Sequence, residues 1–253
     1  MLLRVRYSTY KNSLKGICIG LFVVIAFSSC GLLLKKRTVA NRGIETEEFG
    51  LPLIIYHPSN PISSKMIVLL SGDGGWLGFN DTLAVRFAKR GYYVIGFNSR
   101  TYFWHQKNPD ETAADFVKLI RKYSAQWKIN RIVLSGYSFG ADVVPFIYNR
   151  LPDDLKPKVK KLQLLSPYLS SDFKVRLTDL ISTGDDNRAY KVKDEVEKVT
   201  IPIYCFYGKA ENPKPLADIM MKNFFVQFLP GDHHYQNSYF SIVSSLRNNR
   251  KVK

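Results

Sequence analysis

The segment Gly136-Tyr137-Ser138-Phe139-Gly140 constrains this chain more than any other. The aliphatic run at residues 132–134 leads into it, and residues 141–149 continue with the character of a helix. A strand that turns straight into a helix around one serine brings its two flanks very close together. A side chain two places either side of that serine would collide with the turn, so glycine is needed at both ends. Ser138 is thereby presented at the end of a buried strand.

The rest of the chain repeats the strand-then-helix order. Strands are expected at residues 51–57, 66–70, 92–97, 131–134, 161–165, 201–207 and 224–229, each a short apolar run bounded by turn residues. A helix capped by Asn80 or Asp81 runs to Arg90, where Gly91 stops it. Residues 110–127 form a longer helix with Ala113, Phe116, Val117, Ile120, Tyr123 and Trp127 on one face, and residues 239–246 close the chain. Such alternation predicts a mostly parallel α/β sheet with helices on both faces. With 253 residues and 45% hydrophobic content, the chain has room for one such domain, from about residue 46 to 253. Residues 168–198 lack a clear period and are too few for a large lid domain.

A strand–turn–helix serine in this architecture is the mark of an α/β-hydrolase, whose catalytic order is serine, acid, histidine. Serine is a weak nucleophile at neutral pH and needs a base. Of the four histidines only His233 and His234 follow Ser138, in Pro230-Gly231-Asp232-His233-His234-Tyr235 after the last strand. The usual Gly-x-x-His spacing favours His234, with His233 as the alternative base. Glu211, three residues past Gly208, is the expected acid; Asp218 and Asp232 are weaker candidates. For the oxyanion, one N–H is expected from Phe139 and the other from Asp73 or Gly74, in the glycine-rich loop after residues 66–70. His57 and His105 stand alone, so no metal centre is expected. The Gly72–Gly75 loop lacks the Gly-Lys-Ser/Thr of a phosphate loop, and no cofactor is implied.

The N-terminus reads as an address. Arg4, Arg6, Lys11 and Lys15 precede an apolar run at residues 16–27, followed by Ser28-Ser29-Cys30. Cys30 after two small residues resembles a bacterial lipobox. Residues 1–29 would then be a lipoprotein signal peptide, with a lipidated Cys30 and a linker to residue 45. The alternative is a single transmembrane anchor over residues 16–34. Either tethers the domain at the outer face of a bacterial membrane. A net charge of +16 suits anionic lipid head groups. No helix-turn-helix, zinc or aromatic RNA-binding pattern is present, so nucleic acid is not an expected partner. Cys205, mid-strand, reads as a small buried hydrophobe.

Beyond the serine turn, five pieces resemble the VirJ/AcvB family of bacterial virulence proteins. They are Ser71-Gly-Asp-Gly-Gly-Trp76, Tyr102-Phe-Trp104, Gly136-Tyr-Ser-Phe-Gly-Ala-Asp-Val143, Tyr148-Asn-Arg-Leu-Pro152 and Pro230-Gly-Asp-His-His-Tyr235. The resemblance implies an extracytoplasmic esterase acting on aminoacyl-phosphatidylglycerol, the lysyl lipid above all. Trp76, Tyr102, Phe103 and Trp104 are expected to contact that substrate. The competing expectations are a lipase or thioesterase of other acyl specificity, and a non-catalytic accessory protein that binds secreted partners.

Overall fold

Successive residues of the buried strands point to opposite faces of one sheet, and each face is covered. The computed structural model describes residues 45–58, 60, 64–175, 188–235 and 238–246. The expected signal peptide or anchor, Cys30 and most of the expected linker lie outside the described residues. In chain order the elements are β1 (Glu45–Glu48), β2 (Leu51–Tyr56), β3 (Lys65–Leu70), α1 (Gly78–Lys89), β4 (Tyr93–Phe97), α2 (Ser99–Tyr102), α3 (Pro109–Gln126), β5 (Arg131–Tyr137) and α4 (Phe139–Asn149). There follow β6 (Val159–Leu165), β7 (Ser170–Ser171), β8 (Tyr190–Lys191), α5 (Val192–Glu197), β9 (Ile203–Gly208), β10 (Phe224–Leu229) and α6 (Tyr239–Ser244).

The main sheet has the order β1-β2-β4-β3-β5-β6-β9-β10. From β4 to β10 its neighbours are parallel, whereas β2 pairs antiparallel with β4, and β1 antiparallel with β2. Met66, Val68, Leu70, Ile132, Leu134, Ile203, Cys205 and Tyr207 enter one core with Phe116, Leu119 and Ile120 of α3. Ile67, Leu69, Val133, Tyr204 and Phe206 enter the other, with Leu83, Ala84 and Phe87 of α1 and Ile242 of α6. Period two on the strands and period 3.6 on the helices therefore meet as expected, and Cys205 is fully buried in the first core.

Three local readings change. β1 was not expected, because Glu45-Thr46-Glu47-Glu48 carries no apolar pattern. Its hold comes from ladder pairing with β2 and from carboxylates, such as Glu45 accepting Asn98 Nδ2 at 2.6 Å. The α1 cap also differs: the helix begins at Gly78 behind Leu77, with no side-chain cap. Asp81 is buried and accepts the Tyr56 hydroxyl at 2.5 Å instead. The third is Trp76, which does not face a substrate. Its indole is buried under α1, donates to Tyr56 Oη at 3.1 Å, and lies where a Cβ on Gly96 would stand 2.4 Å from the ring. A large apolar ring beside a glycine gap in a strand is more stable filling that gap than left in water.

The carboxyl ends of β3, β5, β6, β9 and β10 converge on one side of the sheet, as ligand-bearing loops do in parallel α/β folds. Among the described residues no helix is long and apolar enough to cross a membrane.

Candidate active site

Ser138 occupies the turn between β5 and α4 with φ 53° and ψ −124°, a strained conformation for a residue with a side chain. The turn is held from both sides. Ser138 N–H donates to Leu165 O at 2.7 Å, and Ser138 O accepts Ala141 N–H at 2.7 Å. The flanking glycines are required by contact. A Cβ on Gly136 would lie 2.2 Å from Gly140 O, and one on Gly140 would lie 2.5 Å from Ser71 O. Gly72 is close enough that its Cβ would sit 3.2 Å from Ser138 Cβ, so the loop after β3 lies against the serine.

That loop narrows the choice of oxyanion donor. Gly74 N–H donates to its neighbour's carboxylate, Asp73 Oδ1, at 2.8 Å, and Gly75 N–H donates to Gly72 O at 3.0 Å. The Gly74 hydrogen is thus engaged within the turn, which counts against it as the oxyanion donor. On the other side, Phe139 is the first residue of α4, where a backbone N–H has no intrahelical acceptor.

Glu211 follows β9 and is gripped at both oxygens. Oε1 meets His233 Nδ1 at 2.8 Å, while Oε2 accepts Gly208 N–H at 3.0 Å and Ser166 Oγ–H at 2.7 Å. A carboxylate only accepts, so His233 Nδ1 must carry the hydrogen, leaving Nε2 as the acceptor. The His233 ring stands 5.2 Å from that of Tyr137, the residue just before Ser138, and Tyr137 Oη donates to His233 O at 3.1 Å.

His234, the base favoured by spacing, points elsewhere. Its side chain is 78% exposed, and its Nδ1 is 3.5 Å from the exposed carboxylate of Asp232. The reason is the tight turn. Gly231 takes φ 98°, Tyr235 N–H closes onto Asp232 O at 3.0 Å, and the fully buried Tyr235 fixes the loop so that position 233 faces Glu211. Asp232 instead accepts His234 N–H at 2.8 Å, which holds its carboxyl below the usual range.

Two of the aromatic expectations also move to the core. Tyr102 is buried with its hydroxyl on Asp115 Oδ2 at 2.7 Å, and Phe103 is fully buried against Phe139 and Phe173. Trp104 alone of the three stays open, 45% exposed, with the Arg100 guanidinium 6.0 Å from its ring.

Sequence reasoning missed the polar residues behind the turn. Tyr168 is pushed up to about 12, first by burial and then by the charges of Asp142, Glu211 and Asp73. Asp142, four residues past Ser138 on α4, is buried and accepts Tyr168 N–H at 2.6 Å. Burial holds its carboxyl well above the ordinary range, against the opposing pull of the Tyr168 N–H and of Arg188. Between the ordinary carboxyl value and that raised one, the folded chain keeps a proton that the unfolded chain releases. Stability therefore falls as pH rises through that window. Asp142→Asn is expected to be more resistant to urea than the parent at pH 7 and to lose this advantage near pH 4. An advantage equal at both pH values would contradict the account. Among the described residues no group of three or more histidine, cysteine, aspartate or glutamate side chains could hold a metal.

Est1E from Butyrivibrio proteoclasticus superposes with a TM-score of 0.58 at 15% identity, over 82% of this chain and 96% of that one. A lidless α/β serine hydrolase from Xanthomonas campestris gives 0.54 at 14% identity over 82% and 93%. An α/β serine hydrolase homologue from Coxiella burnetii gives 0.55 at 16% identity over 85% and 100%. The fold is accordingly that of the α/β hydrolases, and the described residues include no large lid domain. No curated protein matches the sequence. The model of the bacterial virulence protein VirJ matches residues 64–252, which include the serine turn, Glu211 and both histidines, and the chain therefore belongs to the VirJ family.

Proposed function

We propose that this chain is a membrane-tethered serine esterase that hydrolyses the aminoacyl ester of aminoacyl-phosphatidylglycerol, the lysyl lipid in particular, through Ser138, His233 and Glu211. The observation that carries it is the 2.8 Å contact of Glu211 with His233, in a loop bonded to the residue before Ser138. In this reading His233 Nε2 takes the Ser138 proton as the oxygen attacks the ester carbonyl, and Glu211 holds the imidazole tautomer and offsets its charge. Phe139 N–H and Asp73 N–H receive the oxyanion. The proton then passes to the departing glycerol oxygen, and water releases the amino acid from the acyl-serine.

Charge supports the substrate class. The chain carries +16 overall, yet the carboxylates whose fields reach Tyr137 are Glu211, Asp73 and Asp232. A local negative field within a basic protein suits a cationic acyl group on an anionic membrane. The lipobox-like Cys30 would hold the domain at that surface.

The test uses full-length protein in detergent, given lysyl-phosphatidylglycerol and, separately, a neutral p-nitrophenyl ester. Release of lysine is expected. Asp73→Asn removes one negative charge and keeps both the backbone N–H and an oxygen for Gly74; it is expected to raise KM for the lysyl lipid about tenfold, with a clearly smaller change on the neutral ester. Hydrolysis of the neutral ester with no lysine release would reject the lipid and retain the esterase. Failure to act on either, with no labelling by a fluorophosphonate, would favour a binding role on this fold.

A further inference from the structure

Glu211 is not held by His233 alone. Behind it lies Ser166, at the end of β6, fully buried and in the left-handed region at φ 52°. Its hydroxyl is 2.7 Å from Glu211 Oε2 and 2.6 Å from Tyr235 Oη. Tyr235 is itself fully buried at φ 58°, and its hydroxyl also lies 2.9 Å from Phe206 O. Residues with side chains rarely adopt this backbone region, and two do so here with their hydroxyls in contact.

Two hydroxyl hydrogens serve three contacts here. Ionised Glu211 has none to give, so the single Ser166 hydrogen points at Oε2. In the 2.6 Å contact with Ser166 the tyrosine is then the donor, sharing its one hydrogen between Ser166 Oγ and Phe206 O at 2.9 Å; burial pushes its phenol well up, so that hydrogen stays in place. The chain runs Tyr235 Oη–H to Ser166 Oγ–H to Glu211 Oε2, while Oε1 faces His233 Nδ1–H. Each donor polarises the next, and the last aims the carboxylate at the imidazole.

We infer that Ser166 and Tyr235 are positioning residues that act through Glu211, forming a two-hydroxyl relay that fixes the carboxylate against His233. This rests on the esterase reading above. Neither residue would touch substrate. A relay of this kind also explains why strained backbone is kept at 166: a glycine there would relax the turn but lose the hydroxyl.

The experiment separates positioning from mere packing. Full-length wild type, Ser166→Gly, Ser166→Ala, Tyr235→Phe and the double variant Ser166→Ala/Tyr235→Phe are assayed on a p-nitrophenyl ester and melted in parallel. Ser166→Gly is expected to melt within about 4 °C of wild type, while its kcat falls at least about tenfold and KM stays within about threefold. Tyr235→Phe is expected to lose at least about threefold in kcat alone, and nothing further when added to Ser166→Ala, because the two act in series. Unchanged kcat in Ser166→Gly, or multiplicative losses in the double variant, would overturn the relay. If the Ser166 variants do not fold, Tyr235→Phe decides, and unchanged kcat there overturns it. Labelling of wild type by a fluorophosphonate keeps the two failures apart. Its absence would sink the esterase itself, whereas labelled wild type with unaffected variants sinks only the relay.

Discussion

Ser138→Ala is expected to abolish fluorophosphonate labelling and to lower kcat on any ester by about 10⁴-fold or more, with the fold intact. The size follows from the arrangement: the Ser138 hydroxyl is the nucleophile of the proposed triad. Without it, only the oxyanion donors and binding contacts remain to assist water. The fold should survive, because what holds the turn is backbone. Ser138 N–H to Leu165 O and Ser138 O to Ala141 N–H do not involve the side chain. Alanine has the same Cβ and the same penalty at φ 53°, so the turn is no more strained than before. Unchanged melting with lost labelling is the expected pair of results. Labelling that persists in Ser138→Ala would place the nucleophile elsewhere and remove the basis for the triad.

Much of this site could be read from residues alone, and the reason is physical. The turn demands glycine at 136 and 140 because backbone atoms of residues 140 and 71 occupy the space of a side chain. The apolar runs of β3, β5 and β9 are continuous because both sheet faces are covered, so they stand out without alternation. Glu211 was legible by its offset from a strand end. Other features left no trace of this kind. β1 is a row of carboxylates whose pairing is decided by β2 and not by its own pattern. Trp76 and Tyr102-Phe103 are aromatic residues near glycines and turns, and composition cannot tell an aromatic that fills a core from one that lines a site. Ser166 is a single serine after a strand, with no partner within several residues. Its partners, Glu211 and Tyr235, are 45 and 69 positions away and meet it only in the fold.

The choice between adjacent histidines is the sharpest case, and it yields the second large effect. His233→Ala is expected to lower kcat on the same ester by about 10³-fold or more, whereas His234→Ala should stay within about threefold of the parent. Neighbouring residues in a tight turn face different ways. Here the direction is set two residues on, by Tyr235, whose ring is buried and whose hydroxyl reaches Ser166. With Tyr235 anchored, His233 is turned inward to Glu211, and its backbone carbonyl is bonded by Tyr137. His234 is left in water beside Asp232, an exposed pairing of little energetic weight. Spacing from the preceding glycine could not register this, since it counts residues without knowing which side chain the core will accept. The measurement is a comparison of single variants on a neutral ester, with melting temperatures in parallel. Loss confined to His234→Ala would reverse the assignment and leave the Glu211–His233 pair a structural contact. Loss in His233→Ala alone would make the buried tyrosine, not the glycine spacing, the feature that chooses the base.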